Sequence, residues 1–290
     1  MDNKKIGVIS MIFADIMWAI EPIFAKFAYK NADILQTANI RALFVALTAI
    51  PYILITNRGN FKLSRKQLGV LVYIAIAGTL IADMLYLIAL SKIPVINALI
   101  IGHLQPIFII IIGFLMLKKE RPAKSDYIGM LIMMASAVLV TTKTLGNFYS
   151  LRLGTFGDII VVFATIAWAT TAVAARKYLK DMNAGVMVFY RFIIAGIILT
   201  IYSLIKTSFQ IVNIYQILIG IVVGIGTIFY YEGIKRLKAM QVSSLELATP
   251  FFGALSGFLT LGERITILQG AGILIMFVGV YLLAKKEPTS

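Results

Sequence analysis

The sequence has no cysteine and one histidine, His103, and only 14% of its 290 residues are charged. Without cysteine there are no disulfides, no thiolate nucleophile and no Cys-ligated metal. A single histidine likewise excludes a multi-His zinc or iron site. Low charge beside 60% hydrophobic residues excludes a soluble globule, because soluble domains average about 45–50% apolar and about 25% charged residues. The surface left after filling one core would itself be apolar. Acids are scarce, 13 against 27 Lys and Arg, for a net charge of +14. The apolar character runs from end to end, which separates a polytopic membrane protein from a soluble domain on one anchor.

A bilayer core about 30 Å thick takes roughly 20 apolar residues per helix. Ten such stretches are predicted, at 6–28, 34–56, 68–90, 95–117, 124–142, 155–175, 184–205, 211–233, 240–261 and 266–284. They lack the period-two alternation of barrel strands, and backbone in lipid must satisfy its own hydrogen bonds, so helices are expected. The first span is too long for a cleavable leader and carries Asp15 and Glu21. With the N-terminus inside, inner loops collect 18 cations and outer loops 7, leaving Arg41 and Arg191 within spans. That bias is what retention of positive loops in the cytoplasm produces, and it places both termini inside. The excess charge then faces anionic lipid headgroups, and no soluble basic domain exists to bind nucleic acid.

The chain repeats itself. A shift of 150 residues pairs Trp18 with Trp168, Lys26 with Arg176, Lys30 with Lys180 and Arg41 with Arg191. It also aligns Phe13-Ala14-Xaa-Ile16-Xaa-Trp18-Ala19 with Phe163-Ala164-Xaa-Ile166-Xaa-Trp168-Ala169. A shift of 144 pairs Tyr86 with Tyr230, Pro106 with Pro250 and Gly113-Phe114-Leu115 with Gly257-Phe258-Leu259. One residue later in register, Glu120-Arg121 meets Glu263-Arg264 and Gly129 meets Gly272. Five helices per copy is an odd number, so the second copy enters the membrane from the opposite face. Inverted repeats of this kind are a recurrent plan of secondary transporters and give alternating access a physical basis. Connections are short, and no phosphate-cradling Gly-Lys-Ser/Thr loop is present.

These elements resemble, in each half, one EamA domain of the drug/metabolite transporter superfamily. The resemblance rests on Trp18 and Trp168 with a cation eight residues on, on Arg41 and Arg191, and on Pro106 and Pro250. It extends to the Leu261-Gly262-Glu263-Arg264 junction leading to Gly272; the first copy departs from it, with Lys118-Lys119 where the glycine would stand. It implies a ten-helix carrier, usually an exporter of amino acids, related metabolites or drugs, with a pathway lined by helices 1, 3, 4, 6, 8 and 9. The expected architecture is an all-α membrane protein of two inverted five-helix repeats, residues 1–145 and 146–290.

Ionisable groups inside spans carry the chemistry, because a carboxylate at a helix centre costs about 2.5–3.5 kcal/mol and so faces a cavity, pairs or titrates. Asp15, Glu21, Asp83, Glu232, Glu246 and His103 qualify. Asp15 and Trp18 share a helix face, as do Asp83 and Tyr86. The second copy keeps the aromatics as Trp168 and Tyr230 and replaces Asp15, Glu21 and Asp83 by Thr165, Thr171 and Thr227. Pathway residues are therefore expected among Asp15, Trp18, Asp83, Tyr86, His103, Trp168, Tyr230 and Glu246; packing is the competing account for the tryptophans. Glu21 before Pro22 reads as a hinge or a ligand, since a mid-helix proline bends a helix. Glu232 lies near Lys235 and Arg236 and reads as an interfacial ion pair. Glu246 either snorkels or gates, and Arg41 and Arg191 anchor at headgroups or pair with an acid. His103 is either a proton-responsive group or part of an interhelical hydrogen bond. Gly220-Xaa-Xaa-Xaa-Gly224 and Gly253-Xaa-Xaa-Xaa-Gly257 are spaced for close helix approach.

The function expected is secondary transport of a small metabolite across the cytoplasmic membrane, without a cofactor. Protonation of Asp15, Asp83 or His103 would couple export to the proton gradient. Acids beside aromatics favour amino acids or amines, through charge pairing and cation–π contact. The alternative is an intramembrane enzyme acting on a lipid-linked substrate; dispersed acids and the absence of a metal set speak against it.

Overall fold

The computed structural model describes residues 2–90, 92–93, 98, 101–117, 122–151, 154–206, 209–261 and 264–285. It is 83% helical, and the described residues contain no strand. The helices are α1 (Asn3–Ala28), α2 (Ile34–Thr56), α3 (Arg65–Ile74), a π-helical segment (Ala75–Ala82) and α4 (Asp83–Leu90). They continue with α5 (Gln105–Met116), α6 (Lys124–Thr142), the short α7 (Leu145–Tyr149), α8 (Phe156–Tyr178) and α9 (Ala184–Lys206). The last are α10 (Ile214–Arg236), α11 (Ala239–Glu246), α12 (Thr249–Leu261) and α13 (Ile267–Ala284). Among the described residues, 8 helices are long and apolar enough to cross a membrane.

The two remaining predicted spans are interrupted for one physical reason. Across 240–261 the helix breaks at Leu247-Ala248, four residues beyond Ser243 and just ahead of Pro250. Proline lacks an N–H, and its ring collides with the carbonyl four residues earlier, here that of Glu246. Across 95–117, Ala98, Ile101 and Gly102 are helical, a turn at His103-Leu104 interrupts the helix ahead of Pro106, and α5 runs on from Gln105. Most of residues 94–100 lie outside the described residues, as do Glu120, Arg121 and Glu263.

Helix starts are fixed locally. Ser64 with Gln67, Thr155 with Asp158, Asn213 with Gln216 and Thr266 with Gln269 form reciprocal capping boxes, satisfying N–H groups that have no partner within the helix. Outward side chains stay apolar, with Ile55, Phe114, Ile267 and Leu274 exposed, as expected where the surrounding solvent is hydrocarbon.

Packing follows a pattern of pairs. α2 crosses α9, α6 crosses α13, α1 runs along α10 and touches α12, and α8 touches α3, the π-helix, α4 and α5. Glycines permit the closest of these approaches. A Cβ on Gly220 would stand 2.5 Å from Phe44 Cβ and 3.0 Å from the Arg41 carbonyl oxygen, and Gly224 abuts Thr48 in the same way. Gly253 differs from the sequence expectation, having nothing within 4 Å of the place for a Cβ, so it makes no close contact.

The pair yields a direct prediction. Gly220→Ala should lower the unfolding temperature of the detergent-solubilised protein, because overpacking against backbone costs about 1–3 kcal/mol and outweighs the helix-propensity gain of about 1 kcal/mol. Gly253→Ala, in open space, should leave it unchanged or raise it; equal shifts for the two variants would contradict this account.

Candidate transport site

The Pro250 break determines what faces the interior. Glu246 ends α11 and Thr249 begins α12, so both are brought against α1. The Thr249 hydroxyl donates to Asp15 Oδ1 at 3.1 Å, and the Tyr230 hydroxyl bonds Glu246. Asp15 is fully buried, and the Asp15 and Glu246 carboxylates lie close enough for their charges to interact. Each has one buried oxygen, Asp15 Oδ2 and Glu246 Oε1, with no hydrogen-bond partner among the described residues. Buried polar atoms are nearly always bonded, and two neighbouring buried carboxylates with no ion-pair partner among the described residues call for a positive one. Trp18 packs against Tyr230 beside them, ring centroids 5.3 Å apart and planes tilted by 49°.

A second group gathers around Asp83, the first residue of α4 after the π-helix. Trp168 Nε1–H donates to Asp83 Oδ1 at 2.9 Å, and Trp168 packs on Tyr86 with centroids 5.3 Å apart. Each aromatic pair thus joins the tryptophan of one sequence copy to the tyrosine of the other. Insertion of a π-turn shifts the residues after it around the helix axis, and such turns concentrate at functional sites. The π-helix has no counterpart in α10, which is α-helical throughout.

Two arginines link the groups. Arg41 pairs with Glu21 at 3.1 Å and with Asp83 at 3.9 Å, which selects the acid-pairing reading over headgroup anchoring. Arg191 meets hydroxyls instead: its Nε–H donates to Thr79 at 3.0 Å and its Nη1–H to Tyr231 at 3.2 Å. Its charge is felt by both Asp83 and Glu246. α1 runs unbroken through Glu21 to Ala28, so Glu21 stands here as an ion-pair partner rather than at a helix break; the side chain of Pro22 lies outside the described residues.

His103 stands apart, its Nε2 2.9 Å from the Thr141 hydroxyl, which is the interhelical hydrogen bond of the plainer reading. Glu232 accepts from Lys235 and Tyr52, each at 3.0 Å, and pairs with Arg236. Sequence reasoning did not reach Thr249, Tyr231 or Thr79, which have no signal as single residues. It also passed over Asp126, fully buried and accepting from Gln241 Nε2 at 2.7 Å with Lys238 at 3.6 Å. Its place at a helix start disguises it as a cap.

The model of the EamA-like transporter family matches the chain twice, over residues 5–142 and 155–285. The chain belongs to this family. Among EamA relatives, an uncharacterized transporter of Methanothermobacter thermautotrophicus is 25% identical over 77% of this chain and 66% of its own length. One from Synechocystis is 28% identical over 76% and 66%. The chain thus spans about two thirds of these relatives. The pseudopaline exporter of Pseudomonas aeruginosa aligns over 99% of both chains at 23% identity. A solved crystal structure shares the fold, with a TM-score of 0.76 and 17% identity over 95% of each chain.

Proposed function

We propose that this EamA protein is a secondary transporter of the cytoplasmic membrane, built as two inverted five-helix repeats with both termini inside, that exports amino acids or related amines by alternating access. The observation that carries the reading is the pair of buried carboxylates, Asp15 and Glu246, each with an oxygen unbonded among the described residues, beside the Trp18–Tyr230 ring pair. An ammonium group supplies the missing cation and gains cation–π contact from the rings. A proton supplies it when substrate is absent, which couples the two; Asp83 is the second candidate for that role.

The inverted arrangement is supported by how partners are exchanged. α2 pairs with its equivalent α9 and α6 with α13, while Trp18 meets Tyr230 and Trp168 meets Tyr86. A two-fold axis in the membrane plane generates such pairs. The helix breaks at Leu247-Ala248 and His103-Leu104 fall at equivalent places before Pro250 and Pro106, and discontinuous helices at mid-membrane mark substrate sites in several transporter folds. Arg191, hydrogen-bonded to the Thr79 and Tyr231 hydroxyls and in no ion pair among the described residues, favours substrates that also carry a carboxylate. The full-length alignment with a pseudopaline exporter supports the outward direction.

The test is counterflow in proteoliposomes. Labelled amino acids are presented singly against unlabelled amino acids and their decarboxylated amines, with and without a pH gradient. Exchange stimulated by internal substrate is expected, with zwitterions the stronger competitors. Flux indifferent to internal substrate would mark a pore, and competition by carboxylates lacking an amino group would remove the role given to Asp15 and Glu246.

A further inference from the structure

α3 begins and α8 ends at the same edge of the bundle, and between them, closed behind by α5, lies an open crevice of about 380 Å³. Its walls are Val70, Met116, Ala174 and the rings of Tyr73 and Tyr178, with Lys66 at the mouth. Lys66 Nζ lies 5.2 Å and Lys177 Nζ 5.1 Å from the centroid of the same Tyr178 ring. Among the described residues neither lysine is in an ion pair with a carboxylate. The crevice is therefore mostly apolar in its lining, with Lys66 in it and Lys177 beside the same Tyr178 ring, where α3 begins and α8 ends.

The equivalent place in the other sequence copy is filled. There α1 meets the start of α10, and Tyr215 packs on Phe24 and Phe27 with centroids 6.2 and 5.1 Å away. At the 150-residue shift Phe24 corresponds to Ala174 and Phe27 to Lys177. Two rings that plug one end are thus replaced by a methyl group and a cation at the other. Packed interiors leave few voids, so an apolar gap with a cationic mouth has the shape and charge of a site for a molecule with an acyl chain and an anionic head.

We propose that the crevice binds an anionic phospholipid, its phosphate between Lys66 and Lys177 and one acyl chain along Val70, Met116 and Ala174. Basic pockets between membrane helices hold such headgroups. The bound chain braces α3 against α8 beside the hydrogen bond from the Tyr73 hydroxyl to Thr170, 2.6 Å long. These two elements lead directly to Asp83 and Trp168, so occupancy bears on the transport site.

Delipidated full-length protein titrated with phosphatidylglycerol, phosphatidylcholine or glycerol phosphate, and followed by native mass spectrometry and thermal unfolding, tests this. Phosphatidylglycerol should form a one-to-one adduct and raise the unfolding temperature, with the other two far weaker. Lys66→Gln/Lys177→Gln should weaken the adduct about thirty-fold, from roughly a fivefold factor per lysine near the surface. Ala174→Phe, which copies the plug of the other half, should lose the adduct without lowering the lipid-free unfolding temperature. Equal binding of phosphatidylcholine or glycerol phosphate, or undiminished phosphatidylglycerol binding by the lysine variant, would overturn the proposal. The lysine variant alters two exposed side chains, so it reports even if the phenylalanine variant misfolds.

Discussion

In proteoliposomes, Asp15→Asn/Glu246→Gln should bind amine-bearing substrates tens- to thousands-fold more weakly and lose its response to a pH gradient. The amides keep the volume and the bonds to Thr249 and Tyr230 but remove both negative charges. Truncating one partner of a buried, hydrogen-bonded charge pair costs about 2–5 kcal/mol, and each 1.4 kcal/mol is about a factor of ten. Protein yield and helical content should stay near wild type, because among the described residues neither carboxylate is in an ion pair that the amides would break. Glu232→Gln, in an ion pair with Lys235 and Arg236 at the end of α10, is the comparison and should transport normally. Normal affinity and normal coupling in the double amide variant would dissolve the assignment of this site.

Arg41→Ala should be the most destabilising single change in the centre, by about 3–5 kcal/mol, because it strands Glu21 without a counter-charge and leaves Asp83 only the unpaired charge of Arg191. The penalty belongs to the orphaned carboxylates rather than to the lost contact. Arg41→Ala combined with Glu21→Gln and Asp83→Asn should therefore recover most of the loss, which thermal unfolding of the four proteins in one detergent will measure. Arg191→Ala should cost much less, since its partners are the hydroxyls of Thr79 and Tyr231. A triple variant no more stable than Arg41→Ala would show that Arg41 acts by packing instead.

Much of the candidate site stands out in the sequence, because lipid makes charge conspicuous. Asp15, Asp83 and Glu246 stood out for being where carboxylates are costly, and Trp18, Tyr86, Trp168 and Tyr230 for recurring at a fixed shift. Which of them meet was not legible. Helix periodicity relates residues three or four apart on one helix and carries no information about the helix across the interface. Arg41 and Arg191 illustrate the gap: at equivalent sequence positions, one binds two carboxylates and the other two hydroxyls. Their partners sit on other helices, and the second copy has Thr171 and Thr227 where the first has Glu21 and Asp83. His103, prominent as the lone histidine, proved to be bonded to Thr141 away from the charged groups.

Composition and the internal repeat alone determined that the chain lives in lipid, is helical and is duplicated, because hydrocarbon leaves the backbone no partner but itself and leaves exposed charge no place. Only the tertiary structure decided that residues 75–82 wind as a π-helix before Asp83 and that the chain breaks between Glu246 and Thr249. It also decided that Asp15 faces that break. Those features come from which helices press together and what fills the space between them, and that is set by contacts between residues far apart in the chain.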